Sequence, residues 1–176
     1  EISAQPKTFW TNQLENRDMA FGYESIGHEV WDQTSGRVDA FVQMVGTSHS
    51  LRGVATALKT HNSACKIFAV EPAESAVLSG GAPGVHDIEG VGIGYTPPLW
   101  DPAVVDRIVP VSTESAKDMA RRLARGEGLF AGTSSGANVC AAIEIAKELG
   151  PGSTVVTLMI DSGLKYLSTD LYGLTN

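Results

Sequence analysis

A chain of 176 residues with 43% apolar and 19% charged side chains has a globular composition, and is long enough to bury roughly 70% of its unfolded surface. Thirteen Lys plus Arg against twenty Asp plus Glu give a net charge of −7, which disfavours nucleic acid and anionic membranes as partners. The longest apolar stretch, Thr154 to Ile160, is far too short to span a bilayer. Two cysteines form no disulfide framework and suit a reducing, cytoplasmic setting.

Residues 1–36 read as an irregular lead-in with one short helix around His28–Thr34. The chain opens Glu1-Ile2-Ser3, with neither an initiator Met nor a secretory pattern, and is read as a piece of a longer one. Residues 37–176 alternate strand and helix. Asp39–Val45 is an apolar run opening onto Gly46 and predicts a buried strand. In Ser50–Thr60, Leu51, Val54, Ala55 and Leu58 keep helical spacing. Lys66–Val70 predicts a second strand. Arg107–Val111 predicts a third, with Pro110 placing it at an edge or a strand end.

Ser112 is the expected cap of a helix whose apolar face is Ala116, Met119, Ala120, Leu123 and Ala124. A further helix, Ser135–Leu149, is expected to bury Val139, Ala142, Ile143 and Ala146, and Gly150-Pro151 stops it. Thr154–Ile160 closes the series as a buried strand. Buried strands separated by amphipathic helices predict an α/β fold, doubly wound, with a mostly parallel sheet and helices on both faces. The glycine-rich stretch Ser79–Pro98 is long for a loop, and such loops are usually functional or poorly ordered.

Ligands of open α/β sheets sit beyond the carboxyl ends of the strands. Gly46-Thr47-Ser48-His49-Ser50 lies between a strand and a helix start. There, backbone N–H groups and three hydroxyls make a phosphate cradle, although ordinary N-cap chemistry fits the same residues. Neither a Walker loop nor a GxGxxG fingerprint is present. Gly132-Thr133-Ser134-Ser135-Gly136 occupies an equivalent place and reads as a capped helix start or a site. The glycines from Gly80 to Gly94 suit close approach to a ligand or a surface excursion. No HExxH, CxxC or EF-hand pattern points to a metal. Cys65 and Cys140 read as packing residues, and Glu71 with Glu74 as a cap and a solvated face. These local patterns support a small phosphorylated ligand and name no reaction.

The segments VGTSHSLRGVATALK, AVEPAESAVLSGG, HDIEGVGIGY, ARGEGLFAGTSSGANVCAA and DSGLKYLSTDLY, in that order, resemble the cysteine synthase family. These are pyridoxal-phosphate enzymes of the tryptophan synthase β-like fold (fold type II). The resemblance runs from about Phe9 to Tyr172 and covers only the family's C-terminal, large-domain part. It implies a crossover lead-in over 1–36 and a cofactor-binding α/β domain over 37–176. The family's Schiff-base lysine lies in an upstream segment that nothing here matches. No catalytic residue is therefore assigned, and the 176 residues alone are expected to be inactive.

The resemblance carries the family's GTGGT phosphate loop onto Gly46, Thr47, Ser48, His49 and Ser50, with Ser48 and His49 replacing glycines. His49 is expected to add a donor or a charge. Ser134 matches the serine that meets the pyridine nitrogen of pyridoxal 5′-phosphate. Gln13 matches a glutamine near the substrate carboxylate, and Gly90, Val91 and Gly92 match the loop lining the substrate pocket. The implied reaction is β-replacement on an O-activated serine, such as O-acetylserine with sulfide to give cysteine, in a homodimer acting on a small amino acid. A noncatalytic phosphate-binding module or a scaffold subunit of the same fold is the alternative.

Overall fold

A computed structural model describes residues 5–173; residues 1–4 of the expected lead-in and the last three residues lie outside the described part. Four strands form one sheet: β1 (Ala40–Met44), β2 (Lys66–Pro72), β3 (Arg107–Val111) and β4 (Val155–Thr157). Their order is β3-β2-β1-β4, and every pairing is parallel, with Phe41 opposite Ile67 and Val156, and Val70 opposite Val109. Five α-helices accompany them: α1 (Asp18–Gly22), α2 (Glu24–Gln33), α3 (His49–His61), α4 (Thr113–Arg122) and α5 (Thr133–Leu149).

Alternation along β1 divides the core in two. Ala40, Val42 and Met44 pack with Ala116 of α4 and Ala137, Ala141 and Ile145 of α5 on one face. Phe41 packs with Leu51, Val54, Ala55 and Leu58 of α3 on the other, with Ile26 and Val30 of α2 against the same cluster. Both faces of a parallel sheet must be covered because βαβ crossovers leave the strands apolar on both sides, and the doubly wound expectation is met. The second helix layer docks closely: a Cβ on Gly27 would lie 2.6 Å from Ala57 Cβ, so only glycine lets α2 settle on α3.

Three expectations are corrected. The last strand stops at Thr157, because its pairing with β1 covers only Ala40 to Val42; beyond it, Leu158 O and Ile160 N bond to Asn138 and Ser135 of α5. In α5 the buried line is Ser134, Ala137, Asn138, Ala141 and Ile145, and Ile143 is exposed. From Gly136 to Ala146 only Asn138 and Glu144 are polar, so periodicity leaves the phase open there, and polar contacts with the strand ends choose it. The lead-in holds two helices, and the second begins at Glu24, earlier than the spacing predicted.

The other elements match. Ser112 Oγ caps α4 by accepting from Ser115 N at 3.2 Å. Pro110 lies on the edge strand β3, where its missing N–H costs no ladder bond. The strand order reverses at β1: β2 lies on one side and β4 on the other, with α3 and α5 on opposite faces. Such a switch point opens a crevice at the carboxyl ends of the strands.

Candidate functional site at the strand edge

The loop leaving β1 turns directly into α3. Ser48, at the N-cap position, has φ 72° and ψ −9°, the left-handed conformation, and makes no side-chain cap bond. Its Oγ is buried and has no hydrogen-bond partner. An ordinary N-cap serine accepts a bond from the first turn, so the capping reading fails here. Ser50 Oγ accepts from Gln43 Nε2 at 2.6 Å, which leaves its own hydrogen free to donate elsewhere. A left-handed turn, the uncapped positive end of α3 and an orphaned buried hydroxyl together fit an anion. The residues present therefore fit a phosphate group.

His49 is 2% exposed and faces inward along the chain. Its Nδ1 lies 2.8 Å from Thr47 Oγ1 and its Nε2 lies 3.1 Å from the carbonyl oxygen of Asn16. The stretch carrying Gln13 is thus tied to the loop through Asn16. Gln13 itself is exposed in the turn before α1 and makes no hydrogen bond to residues 90–92.

The glycine-rich segment is anchored over the same edge. Gly92 N donates to Val45 O at 3.3 Å, and His86 Nε2 donates to Gly92 O at 2.9 Å. Gly90 and Gly92 have φ of +77° and +57°, which suits glycine. A Cβ on Gly46 would lie 2.6 Å from Gly90 O, so the two loops approach to backbone contact. Glu89 N donates to Thr133 Oγ1 at 3.3 Å, which joins this segment to the start of α5. Ser134, in that first turn, is 2% exposed. The Gly46–Ser50 loop, the Gly90–Gly92 segment and the start of α5 are therefore brought together.

Several contributors were not legible in the sequence. Asn138 Oδ1 accepts from Met44 N at 2.6 Å and its Nδ2 donates to Leu158 O at 2.9 Å, pinning the ends of β1 and β4 where the sheet order reverses. An asparagine amid alanines and valines on a buried helix was the available signal. Glu71, expected as a cap or a solvated face, is 2% exposed and accepts from Leu78 N at 2.7 Å and Ser79 N at 3.1 Å. It folds the start of the glycine-rich segment. Glu74 accepts from Thr113 N at 2.8 Å, the capping role expected of one of the two.

Beside Glu89, Thr133 and Tyr166 a cavity of about 370 Å³ opens. At its edge Lys117 Nζ reaches Asp170 at 2.8 Å and Asp87 at 3.1 Å. The Asp170 hydrogen bond raises the Lys117 ammonium pKa, and the same bond holds the Asp170 carboxyl below its usual range. Tyr166 OH donates to Asp161 Oδ2 at 2.7 Å; burial, then this bond, push the phenol far above its usual range. Burial raises the Cys65 thiol to about 11 and raises Cys140 as well, so both are inert packing residues. His28 and His61, far apart in sequence, meet at 2.9 Å. Among the described residues no group of three or more His, Cys, Asp or Glu is placed to hold a metal, and no helix is long and apolar enough to cross a membrane.

Comparison with known proteins shows the family and the fold. The family model described as "Pyridoxal-phosphate dependent enzyme" matches residues 1–161. Cysteine synthase of Staphylococcus aureus is 42% identical over 174 residues, which is 98% of this chain and 56% of that protein. Among solved structures, O-acetyl serine sulfhydrylase isoform 3 of Entamoeba histolytica superposes with a TM-score of 0.90 at 41% identity, covering 93% of this chain and 49% of that one. The O-acetylserine dependent cystathionine beta-synthase of Helicobacter pylori gives 0.91 at 33% identity, covering 97% and 56%. The chain spans about half the length of the curated relatives it matches. On its sequence and its fold, the chain belongs to the pyridoxal-phosphate dependent enzyme family.

Proposed function

We propose that this chain is the cofactor-binding part of a cysteine-synthase-like enzyme catalysing β-replacement on an O-activated serine. The observation that carries the reading is the buried, unpartnered Ser48 hydroxyl at the uncapped start of α3, a polar group that asks for a partner the chain does not supply. Pyridoxal 5′-phosphate supplies such a partner through its phosphate, and supplies an electron sink through its ring. Gly46 to Ser50 hold the phosphate, with Ser48 and Ser50 as hydroxyl donors. Ser134 meets the ring nitrogen. A neutral hydroxyl there leaves that nitrogen largely unprotonated, where a carboxylate would hold a proton on it. A hydroxyl in that place would suit a cofactor used for β-replacement.

Gly90, Val91 and Gly92 line the substrate side, and Gln13 reaches the substrate carboxylate from the lead-in formed by residues 1–36. A homodimer and a cytoplasmic location complete the reading; two free, inert thiols are compatible with a reducing compartment. The test is reconstitution of the full-length protein with pyridoxal 5′-phosphate, followed by cysteine formation from O-acetylserine and sulfide. Cofactor binding with cysteine production supports the reading. Binding of inorganic phosphate without binding of the cofactor would instead favour a noncatalytic phosphate-binding module.

A further inference from the structure

The two residues flanking Ser48 carry a hydrogen-bond constraint that the phosphate reading does not require. His49 is closed in, at 2% exposure, between Asn16 O and Thr47 Oγ1. A carbonyl oxygen only accepts, so Nε2 must carry the ring hydrogen of a neutral His49. Nδ1 is then an acceptor, and the hydrogen bond at 2.8 Å takes the hydrogen of the Thr47 hydroxyl. Thr47 therefore has only lone pairs left to present toward the cradle. Ser50 is arranged the opposite way, accepting from Gln43 Nε2 and keeping its hydrogen.

An anion in this loop needs donors, and Thr47 opposes it as long as His49 is neutral. Three rearrangements are open. Thr47 can abandon His49, which leaves a buried ring nitrogen unpaired at a cost of about 1–3 kcal/mol. The ring can change tautomer, which sets a bare Nε2 against the Asn16 carbonyl. Or the ring can take up a proton, so that both nitrogens donate, Thr47 Oγ1 accepts, and its hydrogen turns to the anion. Only the third satisfies every group, and it adds a cation beside a dianion. The charged residues of the surrounding segments are Glu15, Arg17 and Asp18 around Asn16, Glu89 on the pocket loop and Arg52 on α3. Arg52 is engaged with Leu99 O at 3.0 Å, and β1 and residues 45–48 bring no charge.

We propose that anion binding at this loop is coupled to uptake of one proton by the His49–Thr47 pair, so that Thr47 becomes a phosphate donor only when His49 is an imidazolium. His49 is thus a positioning residue acting through Thr47. The inference rests on the loop being the phosphate site. Its sign is fixed by the hydrogen bonds: where the free ring is neutral the proton must be drawn from solvent on binding, and affinity then falls with rising pH by up to about tenfold per pH unit, the limit for one linked proton. The second phosphate ionisation, near 6, acts the other way, since raising the pH enriches the dianion.

The test is calorimetric titration of the cofactor-stripped full-length protein with pyridoxal 5′-phosphate, and separately with inorganic phosphate. Each is run from pH 6 to 9 in two buffers of different ionisation heat, on wild type, His49→Gln and Thr47→Val. Wild type is expected to take up close to one proton at pH 8 and to lose affinity as the pH rises further. His49→Gln and Thr47→Val are each expected to abolish that uptake and flatten the profile. Cofactor binding by wild type with no buffer-dependent heat would overturn the inference and leave the phosphate site intact, as would equal uptake in His49→Gln. The wild-type heats decide this even where a variant fails to fold. Failure of wild type to bind either probe at any pH would overturn the phosphate-site reading and the inference with it.

Discussion

Gly46→Ala tests the joint on which the site depends. The added Cβ would stand 2.6 Å from Gly90 O and 3.8 Å from Gly90 C, whereas carbon–oxygen contacts settle at about 3.3–3.6 Å. One loop must therefore retreat by about 0.7–1.0 Å. The pocket loop resists, because Gly92 N is held by Val45 O, Gly92 O by His86, and Glu89 N by Thr133. Gly46 has no positive φ, so alanine costs nothing in backbone strain there and the penalty is steric. Overpacking of this kind costs about 1–3 kcal/mol, and each kcal/mol lowers Tm by about 2–4 °C for 150–250 residues and by less in a longer protein. Gly90→Ala supplies the contrast: nothing lies within 4 Å of its Cβ and φ is +77°, so it loses about 1–2 kcal/mol through the backbone alone. Thermal unfolding and fluorescence titration with pyridoxal 5′-phosphate, on the full-length protein, separate the two. Gly46→Ala should lose both stability and cofactor affinity, whereas Gly90→Ala should lose mainly stability. A Gly46→Ala protein with wild-type Tm and wild-type affinity would refute the joint.

Three further outcomes are expected. Asn138→Leu leaves the buried Met44 N and the half-buried Leu158 O without their partners, at about 1–3 kcal/mol for the first and less for the second; urea unfolding should show a loss of about 1–4 kcal/mol, and a loss below 1 kcal/mol would deny Asn138 its bridging role. Ser134→Asp places an anion at the ring nitrogen and should raise its proton affinity by roughly 1–3 pH units, slowing turnover of O-acetylserine; unchanged turnover would argue against Ser134 as the ring-nitrogen partner. Lys117 contributes stability that is full below the ordinary lysine value of 10.5 and is lost as pH rises through its raised folded value. Asp170 contributes stability present above the usual carboxylate range and lost as pH falls through its lowered value. Lys117→Met should flatten both limbs of a urea-midpoint profile between pH 3 and 11, and an unaltered profile would mean that the pair is decorative.

What the sequence disclosed follows from how local each determinant is. β1, β2, α3 and α4 are set by apolar spacing and by a cap within a few residues, and they stand where periodicity predicts them. The phase of α5 is not local, because it is chosen by Asn138 reaching Met44, 94 residues away, and by Ser135 Oγ accepting from Ile160 N. The early end of β4 has the same origin: its neighbour β1 pairs only as far as Thr157, and α5 then claims the backbone. At the site, loop type and hydroxyl content were legible. The inward turn of His49 was not, since its second partner is a backbone carbonyl 33 residues upstream, and no pattern marks which carbonyl a ring will find. The partners of Glu71 were not legible, because Leu78 N and Ser79 N come within its reach only once the chain folds back.

Ser48 and His49 are best understood as one change. A non-glycine residue held left-handed costs about 1–2 kcal/mol, and Ser48 keeps that conformation where the resembled family has glycine. What holds it lies on either side. Arg52 N donates to Ser48 O at 2.9 Å, which seats the residue as the first acceptor of α3. His49 then bonds back to Thr47 across the turn and outward to Asn16, so the residues before and after Ser48 are bound to each other and to the lead-in. The loop's shape, which glycines adopt without steric cost, is maintained here by hydrogen bonds. Those same bonds commit the Thr47 hydrogen, so the bracing of the turn and the proposed proton dependence of anion binding have a common cause.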